Sequence, residues 1–389
     1  MSEPIRLTPS PQLRRRYRAE KRFKAYCIGA LLLAMAFLVL FFTDMIRQGH
    51  MAFVQTEIQV EAAYNERSVD FAKRAVDEDV APLVSRAWFR SLPRRVEHRP
   101  ELMGTTRTEW VTAKADIDQY RKGNVDTLPP ETLAVYERLD REGRVGYGFN
   151  TNFFTNGDSK IPENSGLWSA FVGSFYVMLI VLTISFPIGV MTAIYLEEFA
   201  PDNRFTQAIE ININNLAAVP SILFGLLGLG IFINFFGVPR SSALAGGLTL
   251  SLMTLPIIII STRAALRAVP QNIRHGALAV GASRWQTVRD HVLPVSLPGI
   301  LTGTIIGVAQ AMGETAPLII VGMIAYIPDA PDSITSAATV LPAQIFTWAG
   351  MPERAYVERT AAGILVLLGL LISLNAFAVY LRHRFERRW

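Results

Sequence analysis

The chain has 389 residues, is 50% hydrophobic and has a mean hydropathy of +0.27, too apolar for an ordinary soluble protein and long enough for a membrane bundle with one further domain. Its formal charge is +5, and its single cysteine, Cys27, excludes an intramolecular disulfide. No GxxxxGK[ST] run occurs, which excludes a P-loop for ATP, and HExxH, CxxC and GxSxG are missing as well, so no recognised hydrolytic or redox constellation is present.

In chain order, eight basic residues come first: Arg6, Arg14, Arg15, Arg16, Arg18, Lys21, Arg22 and Lys24. A basic flank of this kind stays in the cytoplasm. The apolar run at 26–46 follows, and FFTDMI offers no small-residue cleavage site after it, so the run reads as a retained anchor rather than a signal peptide. Residues 47–166 read as an outer mixed domain. Val54, Thr56, Ile58, Val60 and Ala62 alternate with polar residues as in a strand, whereas Glu66 to Asp77, Glu109 to Tyr120 and Glu131 to Arg141 read as amphipathic helices. Seventeen basic and nineteen acidic residues nearly cancel over this segment, so no strong field attracts an anion to it. His50 and His98 stand alone without metal-ligand spacing, and no metal is expected.

Further runs at 168–196, 209–236, 241–262, 298–324 and 361–381 bring the expected spans to six, each long enough for a bilayer that takes about 20 residues per helix. Starting inside, residues 47–166, 237–240 and 325–360 fall outside, and 197–208, 263–297 and the tail 382–389 fall inside. Arg263, Arg267, Arg274, Arg284 and Arg289, then Arg382, Arg384, Arg387 and Arg388, lie on the inner pieces, as the positive-inside rule requires. The second to fifth spans each hold a proline beside polar residues: Pro187 with Thr183 and Ser185, Pro220 with Asn214, Asn215 and Ser221, Pro256 with Ser251 and Thr254, Pro317 with Glu314 and Thr315. A proline frees the carbonyl four residues earlier, which needs a partner inside a bilayer. These four spans are therefore expected to line a pathway, with the first span peripheral; the alternative is packing kinks satisfied by their own hydroxyls.

The polar stretch HGALAVGASRWQTVRDHVLP, His275 to Pro294, separates two of these spans. Asn272 to Val280 reads as a short helix stopped by Gly281, which enters the left-handed region at no steric cost. Ser283 caps a second helix, Gln286 completes a capping box, and Pro294 is expected to close the unit. Ile273, Ala277, Val280, Trp285, Val288 and Val292 form apolar stripes too small for a core of their own, so they call for a partner surface.

This stretch resembles the EAA loop of bacterial ABC importer permeases: Ala277, Gly281 and the pair Leu293 and Pro294 fall at the motif's spacing, with His275 in place of its glutamate, Gly276 in place of its first alanine and His291 in place of its late isoleucine. The segment SLPGILTGTIIGVAQAMGETAPL, Ser296 to Leu318, is similar to the phosphate-specific branch of that superfamily, the PstA family, as is VPSILFG at Val219 to Gly225. The resemblance covers roughly residues 165 to 389.

It implies an all-α polytopic membrane protein of about six transmembrane helices with a type I ABC importer (MetI-like) permease core over 167–381, preceded by the small extramembrane mixed domain. It implies a permease subunit of an inorganic phosphate importer in the bacterial inner membrane. His275, Gly276, Ala277, Gly281, Leu293 and Pro294 would couple to an ATPase of the PstB kind. A related permease, PstC, and a periplasmic phosphate-binding protein, PstS, would complete the assembly, with no cofactor and no nucleic acid.

Gln310, Glu314, Thr315 and Pro317 are the expected pathway residues. Glu314 reads as the only acidic residue well inside a span, where an ionisable group costs roughly 2.5 to 3.5 kcal/mol. Related phosphate permeases tend to place an arginine one turn earlier, and here that position is Gln310. Glu314 then either accepts a hydrogen bond from protonated phosphate or locks helices together. Two other functions stay open: a permease for another oxyanion such as sulfate or molybdate, and a membrane-tethered sensor that uses residues 47–166 as its receptor.

Overall fold

A computed structural model describes residues 11–65 and 71–385. Arg6, residues 66–70 of the expected Glu66 to Asp77 helix, Arg387 and Arg388 lie outside the described residues. The chain opens with α1 (Pro11–Gly49), 39 residues long, about 58 Å of helix at 1.5 Å per residue. That exceeds the roughly 30 Å hydrocarbon core; the excess is the basic stretch before Tyr26. The apolar window of α1 is 0% buried within the chain, which makes it the peripheral span.

Residues 54–149 build a sheet with its own core. β1 (Val54–Ala63) is central, flanked by β2 (Thr106–Thr112) and β3 (Val145–Phe149) in the order β2-β1-β3, antiparallel throughout. The alternation expected of this strand is real: Ile58, Val60 and Ala62 all face the core. Against it pack Leu92 of α2 (Arg86–His98), Ile117 of α3 (Ala115–Arg121) and Leu139 of α4 (Pro130–Arg141).

The expected helix at Glu131 to Arg141 is α4. The expected helix at Glu109 to Tyr120 is not one element: its first half joins β2, where Val111 opposite Ile58 fits a pleated, half-buried surface, and only its second half coils into α3. Of the expected helix at Glu66 to Asp77, the described remainder forms a single 3₁₀ turn, Ala72–Ala75.

The helical bundle is arranged around α8 (Ala243–Arg267), which packs along α5 (Trp168–Ile194) and α11 (Leu293–Gly313). Its apolar window is 67% buried, against 0% for α1. α14 (Arg354–Phe385) packs against α1, α11 and α13 (Leu341–Ala349).

The third expected span is broken. α6 (Arg204–Ala217) and the segment Ser221–Phe235, which begins with α7 (Ser221–Leu227), meet at 107°. The break lies where Val219 precedes Pro220, a position driven out of the helical region by the proline ring, and Pro220 itself is extended at φ −54°, ψ 135°. Among the described residues, five helices are long and apolar enough to cross a membrane, six if the bent pair is one span. The fifth expected span is displaced as well: its helix runs from Arg284 to Gly313 rather than over 298–324.

Pro294 does not close the hairpin unit. A π turn at Val288–Val292 pairs the Leu293 amide with the Val288 carbonyl, five residues back, and Pro294 falls in the first turn of α11, where its missing N–H costs little.

The sheet joins the bundle through buried charge. Lys122 Nζ lies 2.8 Å from a carboxylate oxygen of Asp118 and 2.8 Å from one of Glu358, on α14. It also donates to the Val54 carbonyl at 2.8 Å, and Gln119 donates to Glu358 at 2.7 Å. Arg359 donates to the Ser165 carbonyl at 2.6 Å. Burial raises the pKa of nearby Glu163, against the hydrogen bonds and the Arg359 charge that lower it.

Candidate functional site

Two places collect the residues singled out in the sequence: the hairpin between α8 and α11, and the break after α11. The hairpin begins with α9 (Gln271–Ala279). Gly281 follows at φ +90°, its amide bonded to the Leu278 carbonyl at 3.0 Å while the Ala282 amide reaches the Ala277 carbonyl at 3.1 Å. Those two bonds are a Schellman motif, which needs a left-handed residue at this point. α10 (Arg284–Thr287) starts from the expected capping box, with Ser283 N to Gln286 Oε1 at 2.9 Å and Gln286 N to Ser283 Oγ at 3.3 Å.

The apolar stripes divide. Ala277, Val288 and Val292 are buried, and Ile273 packs beside Val292, whereas Val280 and Trp285 are 85% and 54% exposed; Leu278, outside the stripes, is 45% exposed as well. Of the six hairpin residues named above, His275, Gly276 and Gly281 are exposed, Ala277 is buried, and Leu293 and Pro294 are half-buried.

An ion-pair lattice holds the hairpin from behind, and its acidic half was not identified from the sequence. Glu197 and Glu198 sit in a π turn at Tyr195–Phe199, directly after α5. Arg274 of α9 pairs with Glu198 at 2.6 Å and donates to the carbonyls of Leu266 and Val269 at 2.9 and 2.7 Å. It thereby adds a side-chain donor to the carbonyls at and just after the end of α8. Arg267 reaches Glu197 at 2.8 Å, and Arg263 bridges Glu197 at 3.3 Å and Glu210 of α6 at 2.6 Å. The available signal was two adjacent acids in the short loop after one span, opposite a loop with five arginines and a single acid, Asp290.

At the break, α11 ends at Gly313, Glu314 is extended at φ −76°, ψ 130°, and Pro317 lies in the first turn of α12 (Ala316–Ile320). Glu314 is therefore not inside a continuous span: it stands between two helix ends. Pro220 and Pro317 both start short helices rather than kink long ones, and those helices, α7 and α12, pack together. A Cβ on Gly225 would come within 2.8 Å of Pro317 Cα, so only glycine permits this approach. The VPSILFG and GETAPL segments thus form one junction.

Gln310 is exposed, and Glu314 and Thr315 are half-buried. Among the described residues no side chain pairs with the Glu314 carboxylate. The other two span prolines differ: near Pro187 and Pro256 the hydroxyls of Thr183, Ser251 and Thr254 bond carbonyls of their own helices, and Ser185 bonds the Ser251 carbonyl across to α8 at 3.2 Å. α11 runs between hairpin and break, about 30 Å for its 21 residues.

Residues 185–387 match the family described as binding-protein-dependent transport system inner membrane component, and residues 10–80 and 63–131 match a domain of unknown function, DUF3333. The chain is 33% identical over 231 residues to the phosphate transport system permease protein PstA of Mycobacterium leprae, covering 59% of this chain and 75% of the relative. It is 30% identical over 234 residues to the protein of the same name from Haemophilus influenzae, covering 60% and 82%. A probable ABC transporter permease protein of Bacillus subtilis, YqgI, is 35% identical over 167 residues, 43% of this chain and 56% of that one. Among solved structures, an inward-facing MetNI methionine ABC transporter chain aligns over 57% of this chain and 95% of its own length, with a TM-score of 0.44 and 18% identity.

Proposed function

Because the chain belongs to the family of binding-protein-dependent transport system inner membrane components, we propose that it is the permease subunit of a bacterial ATP-driven importer of inorganic phosphate. The observation that carries the reading is the junction of α7 and α12: two motifs far apart in sequence meet there, and an unpartnered carboxylate stands at the helix end beside them.

A PstB-like ATPase pair would seat on the hairpin, where Leu278, Val280 and Trp285 are uncovered. A PstC-like permease would supply the other half of the path, and a PstS-like protein would deliver phosphate on the outer face. Both termini then lie in the cytoplasm and the sheet in the periplasm. ATP-driven closure of the ATPase pair displaces the hairpin. The Arg274 pair carries that displacement to α5 and α8, and α11 carries it rigidly to the break, which opens to alternate sides.

Phosphate keeps a proton at neutral pH and sulfate does not, so the Glu314 carboxylate accepts a hydrogen bond that sulfate has no proton to make. A cation to balance Glu314 comes from the partner permease, since position 310 is glutamine.

The test is uptake of labelled phosphate and sulfate into proteoliposomes that hold this chain with its ATPase, partner permease and binding protein. ATP-dependent phosphate uptake is expected, with little sulfate. Glu314→Gln should leave assembly and basal ATP hydrolysis intact and lower phosphate uptake about ten-fold or more, the effect of losing one charge-assisted hydrogen bond. Sulfate uptake in place of phosphate would overturn the substrate, and normal phosphate transport by the variant would remove Glu314 from the path.

A further inference from the structure

The near balance of charge over residues 47–166 hides an uneven distribution. Six described cations of the sheet segment are ion-paired: Arg95 with Glu109, Arg121 with Asp140, Arg138 with Asp79, Arg144 with Glu142, Lys114 with Asp116, Lys122 with Asp118 and Glu358. One groove gathers several of the others. It holds about 320 Å³ between α2, the turn at Leu102 and β2, and its walls carry Arg94, Arg95, His98, Arg99, Arg107 and a single acid, Glu109.

That acid is already engaged. One carboxylate oxygen accepts from the Tyr64 hydroxyl at 2.9 Å and the other from Arg95 at 3.1 Å. The Tyr64 phenol, pushed up to about 12 by burial and by Glu109, remains protonated and keeps donating. Arg94, Arg99 and Arg107 are exposed and have no partner among the described residues. Among the described residues, three guanidinium groups thus line one groove whose single lining acid is already engaged. A local field of that sign attracts a soluble anion even where the segment as a whole is balanced.

The ligand class follows from the donors and from the place. Guanidinium forks match tetrahedral and planar oxyanions with paired N–H bonds. His98 Nδ1 lies 2.9 Å from the Arg94 carbonyl; a carbonyl only accepts, so Nδ1 carries a hydrogen, and in the neutral ring Nε2 is left to accept one, as a protonated oxyanion would offer. The register puts Arg107 opposite Ala62, at the end of β1 away from Val54, where Lys122 and α14 attach. Eight residues of strand separate the two points by about 27 Å, which takes the groove away from the helix ends and the lipid headgroups beside them.

We propose that this groove is a binding site for a soluble oxyanion of the phosphate class, distinct from the break after α11. It stands independently of the transport reading, since none of its residues belongs to the hairpin or the break.

The experiment is calorimetric titration of the full chain with inorganic phosphate, in a maltoside detergent and a phosphate-free buffer at low ionic strength. Arg94→Gln with Arg107→Gln should weaken binding about ten-fold or more without moving the thermal midpoint, since neither side chain has a partner to lose. Arg99→Gln alone should give a smaller loss. Sulfate, with no proton for His98, should bind more weakly than phosphate. No phosphate binding in the parent, or the same affinity in the double variant, would overturn the proposal. So would arginine-dependent binding to phosphatidylglycerol vesicles with no response to free phosphate, which would assign the groove to a headgroup.

Discussion

The hairpin and the joint between sheet and bundle use the same materials, arginine or lysine against carboxylates, in opposite ways. At the hairpin the ion pairs lie behind the element and are only partly covered: Arg267 is 59% exposed, though Glu198 is 9%. The apolar residues Leu278, Val280 and Trp285 are left outside. At the joint the charges are the buried part, with Lys122 at 2% and Glu358 at 6%, and the apolar residues around them are closed into cores. The first arrangement leaves apolar surface open, which on the proposed reading the ATPase covers. The second is finished within the chain.

The comparison breaks first at the joint, where the largest effect is expected. Lys122→Ala removes the common partner of Asp118 and Glu358 and leaves buried carboxylate uncompensated, at about 3 to 5 kcal/mol. Amide exchange over residues 115–124 should rise accordingly. Replacing Lys122 by Met together with Glu358 by Leu should restore much of the protection, because matched apolar residues remove the unpaired charge. Unchanged exchange in Lys122→Ala would mean that something else fastens the sheet to α14.

The hairpin responds on a smaller scale. Gly281→Val places a β-branched residue at φ +90°, a cost of about 1 to 2 kcal/mol or more. Exchange should rise over residues 271–292 and transport should fall, while membrane insertion stays normal. A variant with normal transport and normal ATPase association would show that the Schellman turn is not needed for coupling.

Trp285→Ala should have the smallest effect on stability, within about 0.5 kcal/mol, because the side chain touches little of its own chain. Co-purification with the ATPase should nevertheless drop. Loss of stability without loss of association would place Trp285 on the finished side of the comparison.

Features that depend on neighbours in sequence were legible from the residues alone. Apolar length marked the membrane class and most of the spans, though not the break in the third or the bounds of the fifth, because the bilayer tests a helix for its own hydrophobicity over about 20 residues. The stop at Gly281, the Ser283 capping box, the alternation in β1 and the helix α4 all close their hydrogen bonds within a few positions, so composition and spacing sufficed. The motifs VPSILFG and GETAPL could be picked out, but not the fact that they touch. Whether Pro220, Pro294 and Pro317 kink, stop or start a helix was settled by what packs around each: Pro294 is absorbed by a π turn, while the other two open α7 and α12, which meet at Gly225.

Only the tertiary structure decided where charges find partners. Glu198 and Arg274 are 76 residues apart in sequence, and Lys122 and Glu358 are 236 apart, separations that no local pattern encodes. A count of charges showed residues 47–166 to be balanced, but it could not show that Glu109 is spent on Arg95 and Tyr64 while Arg94, Arg99 and Arg107 find no partner among the described residues. Net charge adds up along the chain, whereas the field at a groove depends on which side chains the fold brings within a few ångströms of each other.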